Sequence, residues 1–301
     1  MAEATLQTIV LGAAAGGGLP QWNCGCANCL AARRGEIPAQ TQSSLAVSGD
    51  GETWALLNAS PDLRAQLAAV PALHPRTLRD SPLHSVLLTN GDLDHIAGLL
   101  SLRERQAFSL FATAEILEHL AANPVFAALD SKLVQRRAIA LERPFALTDS
   151  VTATLFAVPG KVPLYLEGET VETALEGEQT VGVLLEAGGK RAYYIPGCAA
   201  MTPALAARLT GASLVFFDGT LWRDDEMQRL GLGAKTGRRM GHMPVSGAEG
   251  SLAAFAGLGV TRKVYVHLNN SNPLLRPGSP ERREVEAAGW SVAHDGLAVT
   301  A

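Results

Sequence analysis

The sequence at residues 85–100 is Ser-Val-Leu-Leu-Thr-Asn-Gly-Asp-Leu-Asp-His-Ile-Ala-Gly-Leu-Leu. Its first part, 85–89, predicts a short buried strand that ends at an Asn-Gly turn signal. Two carboxylates and an imidazole follow, Asp92, Asp94 and His95, before an apolar run that predicts a helix. Loops at the carboxyl ends of buried strands bind ligands in α/β proteins, and Asp and His suit divalent metals. The stretch therefore predicts a metal site; an Asp that merely caps the helix would explain only one of the carboxylates.

Length and composition exclude several classes of function. The chain has 301 residues, a hydrophobic share of 47% and a formal net charge of -4, so we expect a sizeable core and no nucleic-acid partner. It contains no apolar run long enough to span a membrane, and its start lacks the basic region of a signal peptide. We therefore expect a cytoplasmic protein whose four cysteines are thiols or metal ligands.

The order of elements in the first half of the chain recurs in the second, with hairpins followed by helices. This repetition predicts an α/β protein, a single domain over residues 1–301 with two packed sheets and helices outside. The predicted strands are 6–11, 45–48, 54–58, 85–89, 138–141, 151–158, 181–185, 191–195, 213–217, 263–266 and 290–293. The predicted helices begin at Ser60-Pro61 and Thr202-Pro203 or cover 96–107, 113–121, 124–133, 246–256 and 280–287.

Three cysteines, Cys24, Cys26 and Cys29, lie within six residues. Clustered thiols in a reducing compartment indicate thiolate coordination of a metal, and structural zinc takes four such ligands. One ligand is therefore missing locally. Idle thiols and a catalytic thiol pair are the alternatives, although no βαβ redox context follows.

Polar residues also follow two later strands. Asp218 ends one strand and His267 ends another, while His242 precedes a predicted helix. Together with the loop at 92–95, they predict one convergent site. The remaining histidines have no motif context and are expected at the surface or in packing roles: His74, His84, His119 and His294.

The chain resembles the metallo-β-lactamase superfamily and, within it, the PqqB family of pyrroloquinoline quinone (PQQ) biosynthesis. Four stretches carry the resemblance, namely 16–29, 88–95, 241–247 and 267–273, the last reading His-Leu-Asn-Asn-Ser-Asn-Pro. The resemblance covers nearly the whole chain and implies a four-layer αββα sandwich.

The chain departs from the superfamily pattern at the metal site. The motif His-x-His-x-Asp-His has Asn90 and Asp92 in place of its first two histidines, and no imidazole stands near 160–161. The position of the usual metal-bridging Asp falls at 197–198, which is Gly-Cys. Because hydrolases of this fold use two metals to hold the nucleophilic water, these departures disfavour hydrolysis.

His95, His267 and one carboxylate, Asp94 or Asp92, remain. Two imidazoles and a carboxylate with open positions are the ligand set of non-haem Fe(II) oxygenases. This agrees with the activity that the resemblance implies, in which dioxygen is used to hydroxylate a tyrosine ring. The expected substrate is a precursor derived from the PqqA peptide, as a peptide or as a cross-linked Glu-Tyr amino acid.

The resemblance also suggests roles for other residues. His242 matches a proton-donating His of related phosphodiesterases, and Asp218 either orients a metal-bound imidazole or caps a turn. Arg238 and Arg239, with Lys235, are expected to bind substrate carboxylates, unless they form a solvated loop. The cysteine group resembles a structural zinc site whose fourth ligand falls at Asn270, a poor zinc ligand; Cys198 is a lesser candidate.

Two rival functions remain open. One is a metal-dependent hydrolase that uses Asp92, Asp94, His95 and Asp218. The other is a carrier that binds PQQ or its precursor without chemistry. The sequence does not decide the oligomeric state, and a homodimer is one option.

Overall fold

A computed structural model describes residues 5–301 and contains fourteen strands in two sheets. The strands are β1 (Gln7–Gly12), β2 (Ser44–Ser48), β3 (Trp54–Leu57), β4 (Leu83–Leu87), β5 (Phe108–Ala112), β6 (Val134–Ala138), β7 (Pro144–Ala146), β8 (Thr152–Ala157), β9 (Val181–Ala187), β10 (Lys190–Ile195), β11 (Leu214–Asp218), β12 (Arg262–Val266), β13 (Trp290–Val292) and β14 (Ala298–Thr300). The helices are α1 (Ala27–Arg33), α2 (Leu63–Ala69), α3 (Leu93–Ile96), α4 (Ala114–Ala121), α5 (Pro203–Leu209), α6 (Glu226–Arg229), α7 (Ser251–Ala254) and α8 (Pro280–Ala287).

The two sheets have the same plan. Their strand orders are β14-β1-β2-β3-β4-β5-β6 and β13-β12-β11-β10-β9-β8-β7. In each sheet, a parallel block of four strands adjoins an antiparallel block. The repeated order of elements in the sequence therefore corresponds to two similar halves that pack face to face.

Successive side chains along a strand pack into two different hydrophobic cores. Leu45 and Val47 of β2 point into the core between the sheets, whereas Ala46 packs in the outer core under α2 and α4. Leu56 and Leu57 of β3 divide in the same way. Because successive side chains of a strand face opposite sides, both faces of this sheet are covered. The predicted αββα sandwich is confirmed.

Several predicted elements are wrong or displaced. The helix expected at 96–107 is only α3 and a 3₁₀ turn, and β5 follows it. The helix expected at 246–256 shrinks to α7, because Gly247 adopts φ +87° and interrupts the helix. Ser60 caps no helix: its hydroxyl donates to the Gln66 side chain, and α2 begins at Leu63.

Other differences lie at edges and ends. The helix expected at 124–133 is a 3₁₀ turn over 124–128, and the strand expected at 138–141 lies earlier, as β6. The three-residue strands β7 and β14 carry too few residues to show a period. Within residues 5–301, no helix has both the length and the apolar character needed to cross a membrane.

Candidate metal centre

Three predicted ligands lie together where strands of both sheets end. Asp94 and His95 belong to α3, which follows β4, and His267 follows β12 directly. One atom of each lies within 4.8 Å of the others. His267 Nε2 is 3.2 Å from Asp94 Oδ2, and His95 Nε2 is 4.0 Å from the same oxygen. The two imidazoles and the carboxylate thus converge on one point.

His95 is prepared to bind a cation. Its Nδ1–H donates to Asn90 Oδ1 over 2.7 Å, which fixes the ring and leaves the lone pair on Nε2. That Nε2 is buried, and no residue in 5–301 hydrogen-bonds to it. Buried polar atoms rarely lack a partner, so an orphaned lone pair beside a carboxylate fits a metal ion. Asn90, which replaces a superfamily ligand, acts here as the support of another ligand.

The surroundings shift the pKa values of the three converging groups in different directions. Burial lowers the pKa of His95 to about 4, so this imidazole is neutral at pH 7. Burial acts to raise the pKa of Asp94, but His95 and His267 outweigh it and hold this pKa below its usual range. Burial also opposes the charged form of His267, yet the hydrogen bond to Asp94 raises its pKa. Metal binding would displace the proton that Asp94 and His267 share.

Asp92 lies outside this group. It is half-buried, and burial followed by the charge of Asp94 raises the pKa of its carboxyl. Of the two carboxylates that the sequence left open, the structure brings Asp94 to the imidazoles.

Asp218 is fully buried, and hydrogen bonds already surround its oxygens. Oδ2 accepts from His242 Nδ1 (2.7 Å) and from the backbone N–H of Cys198 (2.9 Å). Oδ1 accepts from both the backbone N–H and the hydroxyl of Thr220, at 3.0 and 2.6 Å. Although Asp218, His242 and His267 could also surround an ion, four bonds leave this carboxylate little capacity to bind one. Asp218 therefore caps the turn at Thr220 and orients His242, rather than one of the two imidazoles expected to bind metal.

Thr220, which was not predicted, connects His267 to Asp218, the partner of His242. Its Oγ1 lies 2.8 Å from His267 Nδ1 and 2.6 Å from Asp218 Oδ1. Since Asp218 accepts, the hydroxyl donates to it and accepts from His267 Nδ1–H, which leaves His267 Nε2 facing Asp94. His267 itself adopts φ +57°, a region that residues other than glycine seldom occupy. Only an unusual backbone angle and a non-local contact reveal this role, and the sequence carries no sign of either.

The basic residues near His242 separate into two groups. Lys235 and Arg239 pair with Glu167, whereas Arg238 pairs with Glu249 at the surface. Lys161, which stands where the superfamily has a histidine, pairs with Glu167 too. Sequence reasoning missed Lys161 and Glu167, because nothing in their local pattern points to the later loop.

The cysteine group forms a second centre. The Sγ atoms of Cys24, Cys26 and Cys29 lie within 4.8 Å of one another. Asn270 Nδ2 donates to all three sulfurs, at distances of 3.1 to 3.5 Å. Cys198 is not part of this group, since its buried backbone contacts Asp218; its candidacy as fourth ligand is wrong.

The thiols differ in their readiness to ionise. Burial raises the pKa of Cys29 to about 11. Burial acts in the same direction on Cys26, but hydrogen bonds from Cys29 and Cys24 outweigh it and lower its pKa. Cys26 also caps the start of α1, where backbone N–H groups favour a thiolate. Three convergent sulfurs fit a soft divalent metal such as zinc.

The histidines without a motif context lie mostly at the surface. His74, His84 and His294 are exposed, as expected. His119 is half-buried, and its Nδ1 lies beside Gly91, where no residue of 5–301 hydrogen-bonds to it.

Comparison with known proteins defines the class. The sequence profile of the β-lactamase superfamily domain family matches residues 53–268, which contain most of both sheets and the converging ligands. A diphosphatase of the PhnP family shares the fold at 19% identity, with a TM-score of 0.69 over 98% of this chain and 97% of its own. The chain is therefore a β-lactamase superfamily protein.

Nearer relatives narrow the assignment. The coenzyme PQQ synthesis proteins B of Ruegeria pomeroyi and Rhizobium meliloti are 60% and 58% identical, each over 98% of this chain and over 99% and 97% of their own lengths. The crystal structure of Zn²⁺-bound PqqB from Methylobacterium extorquens is 54% identical and superposes with a TM-score of 0.96 over 97% of this chain and 99% of its own. The chain belongs to the PqqB family.

Proposed function

We propose that this protein acts in PQQ biosynthesis as a metal-dependent enzyme, and specifically as a mononuclear non-haem Fe(II) hydroxylase. The names of its relatives support the pathway, and the zinc in the crystallised relative supports a divalent metal. The observation that carries the mechanism is the convergence of Asp94, His95 and His267 on one point, beside an Asp218 carboxylate whose two oxygens already accept four hydrogen bonds. The proposed substrate is a tyrosine-containing precursor derived from the PqqA peptide, in its peptide or cross-linked Glu-Tyr form, and dioxygen is the co-substrate. One oxygen atom enters the ring and the other leaves as water, so the reaction also consumes an external two-electron reductant.

The three ligands would hold the ion through Asp94 Oδ2, His95 Nε2 and His267 Nε2. When bound, Fe(II) supplies dioxygen activation at the positions that three protein ligands leave open. The chain contributes the fixed orientation of the imidazoles. Asn90 holds His95, and Thr220 holds His267, as metal-bound histidines usually require.

The contacts of His242 support a role in proton transfer. Its Nδ1–H donates to the buried Asp218 carboxylate, which sets the tautomer and leaves Nε2 to exchange a proton with the substrate. Its ring stacks on His267 at 5.1 Å, so it stands next to a metal ligand. We propose that His242 takes the phenol proton of the substrate as a general base.

Hydrolysis finds less support in these residues. Asn90 is engaged with His95, and the oxygens of Asp218 accept four hydrogen bonds, so neither residue readily completes a second metal site. The carrier hypothesis does not explain the buried, orphaned Nε2 of His95.

Isotope incorporation tests the reaction. Protein loaded with Fe(II) without oxygen is mixed with the cross-linked Glu-Tyr amino acid, a two-electron reductant such as ascorbate and ¹⁸O₂, and the product is analysed by mass spectrometry. We expect ¹⁸O in the tyrosyl ring with Fe(II) and none with Zn(II). Equal turnover with zinc, or product without dioxygen, would refute the oxygenase proposal.

The cysteine group supports a separate proposal. We propose that Cys24, Cys26 and Cys29 bind a structural zinc ion, with Asn270 as a weak fourth ligand. The site lies where the loop after β1 meets the loop after His267: Ala15 N–H donates to Leu268 O at 2.8 Å. Zinc there would hold both loops beside the active site.

A further inference from the structure

Three cations surround one carboxylate beside the metal centre. Glu167 Oε1 is 3.0 Å from Lys161 Nζ, and Glu167 Oε2 is 3.2 Å from Lys235 Nζ and 3.0 Å from Arg239 Nη2. The side chains of Lys161 and Glu167 are only 9% and 8% exposed. This cationic cluster therefore carries excess positive charge around a buried carboxylate.

No second carboxylate of the described residues forms an ion pair with the cluster. Within residues 5–301, none of the three cations has a second carboxylate within 4.0 Å. Arg239 Nη1 is buried, and the described part of the chain offers it no hydrogen-bond partner. Leaving a buried charged donor unpaired is unfavourable, so the cluster is suited to accept another anionic oxygen.

The cationic cluster is joined to both sides of the active site. Lys161 packs against Gly241, the residue before His242: a Cβ on Gly241 would lie 3.2 Å from Lys161 Cγ. On the other side, Tyr165, two residues before Glu167, donates its hydroxyl to the Gly91 carbonyl over 2.9 Å, beside Asp92. A ligand held by the cluster would therefore extend towards His242 and the metal ligands.

The outer members of the cluster remain accessible. The side chains of Lys235 and Arg239 are 41% and 37% exposed, whereas Lys161 forms the buried base. The guanidinium group of arginine can hold a carboxylate through two parallel hydrogen bonds, and an ammonium group adds a point charge. This arrangement matches carboxylates and offers no apolar contact of its own.

We propose that Lys161, Lys235 and Arg239 form a subsite for the carboxylates of a phenolic amino acid, with Glu167 as the fixed counterion that positions them. The proposal rests on the proposed function, since it supplies the orientation of that substrate. Arg238 lies outside the cationic cluster, because its ion-pair partner is Glu249 and not Glu167.

Calorimetry on Zn(II)-loaded protein without dioxygen tests the subsite apart from the reaction. The probes are the cross-linked Glu-Tyr amino acid and its analogue with carboxamides in place of the carboxylates. We expect Arg239→Gln to weaken binding of the acid about 10- to 100-fold, as for loss of a hydrogen bond to a charged group. Arg239→Lys should retain part of the affinity, and neither variant should change binding of the carboxamide.

Arg191→Gln is the matched control. Arg191 is an ion-paired, exposed arginine at the far end of β10, and its loss should leave both affinities unchanged. Wild-type protein that does not bind the acid, or an Arg239→Gln variant that binds it as tightly as wild type, would overturn the subsite. Binding that depends on Arg239 without ¹⁸O incorporation by the iron-loaded enzyme would instead retain the subsite and refute the hydroxylase.

Discussion

The Thr220 hydroxyl offers a sharp test of how the site holds its metal. Thr220→Val keeps the shape of the side chain and removes the oxygen that lies 2.8 Å from His267 Nδ1 and 2.6 Å from Asp218 Oδ1. His267 Nδ1–H then becomes a buried donor without a partner, which costs about 1–3 kcal/mol. Loss of a residue that orients a metal ligand lowers affinity about 10- to 100-fold, or about 1.4–2.8 kcal/mol. Both routes give the same range.

The assay is an anaerobic Fe(II) titration against a competing chelator, with zinc already in the cysteine site. We expect the Kd of Thr220→Val to rise about 10- to 100-fold, while Thr220→Ser, which keeps the hydroxyl, stays within about threefold of wild type. A Thr220→Val protein that binds Fe(II) as tightly as wild type would show that the hydroxyl does not position His267.

Three further predictions concern other parts of the molecule. Cys26→Ser should lower both the zinc content and Tm, while the control Cys198→Ser, outside the thiol group, should keep its zinc. Unchanged values for Cys26→Ser in metal analysis and thermal melts would exclude the structural zinc. His242→Gln should lower kcat about 10²- to 10⁴-fold with unchanged Fe(II) content, as expected of a general base, and full activity would remove that role. Burial acts to raise the pKa of Glu167, but Arg239 and the two lysines outweigh it and lower this pKa to about 2. In the unfolded chain this carboxyl has a higher pKa, about 4.3, so the ionised Glu167 stabilises the fold above that pH and the stabilisation is lost as pH falls towards 2. Urea titrations should show that Glu167→Gln is less stable than wild type at pH 7 and that the difference in unfolding free energy disappears between these two pH values. A difference that stays constant with pH would contradict this role of Glu167.

Most buried strands could be predicted because apolar runs mark them, although β5, which lies between β4 and β6, was missed. β9 and β11 lie inside a sheet, and their sequences are almost continuously hydrophobic. β7 and β14 are three-residue edge strands, where burial imposes no pattern that a reader could detect. The prediction of a helix at 246–256 was wrong for a different reason. The apolar spacing there is helical, but Gly247 adopts a left-handed backbone conformation.

The metal ligands could be predicted because each follows a strand end in its own local stretch. The sequence could not choose between Asp92 and Asp94, since that choice depends on which way a four-residue helix turns towards His267. Thr220 contacts His267, 47 residues further along the chain, and Glu167 contacts Arg239, 72 residues further along. Contacts of this length appear only once the chain is folded.

Anomalous diffraction at the iron edge tests the central claim most directly. Crystals of protein loaded anaerobically with Fe(II) should show one iron peak at the active site, bound by Asp94, His95 and His267, with the cysteine group holding zinc. Two adjacent active-site peaks bridged by Asp218, or no peak beside His95, would contradict the single-ion hydroxylase.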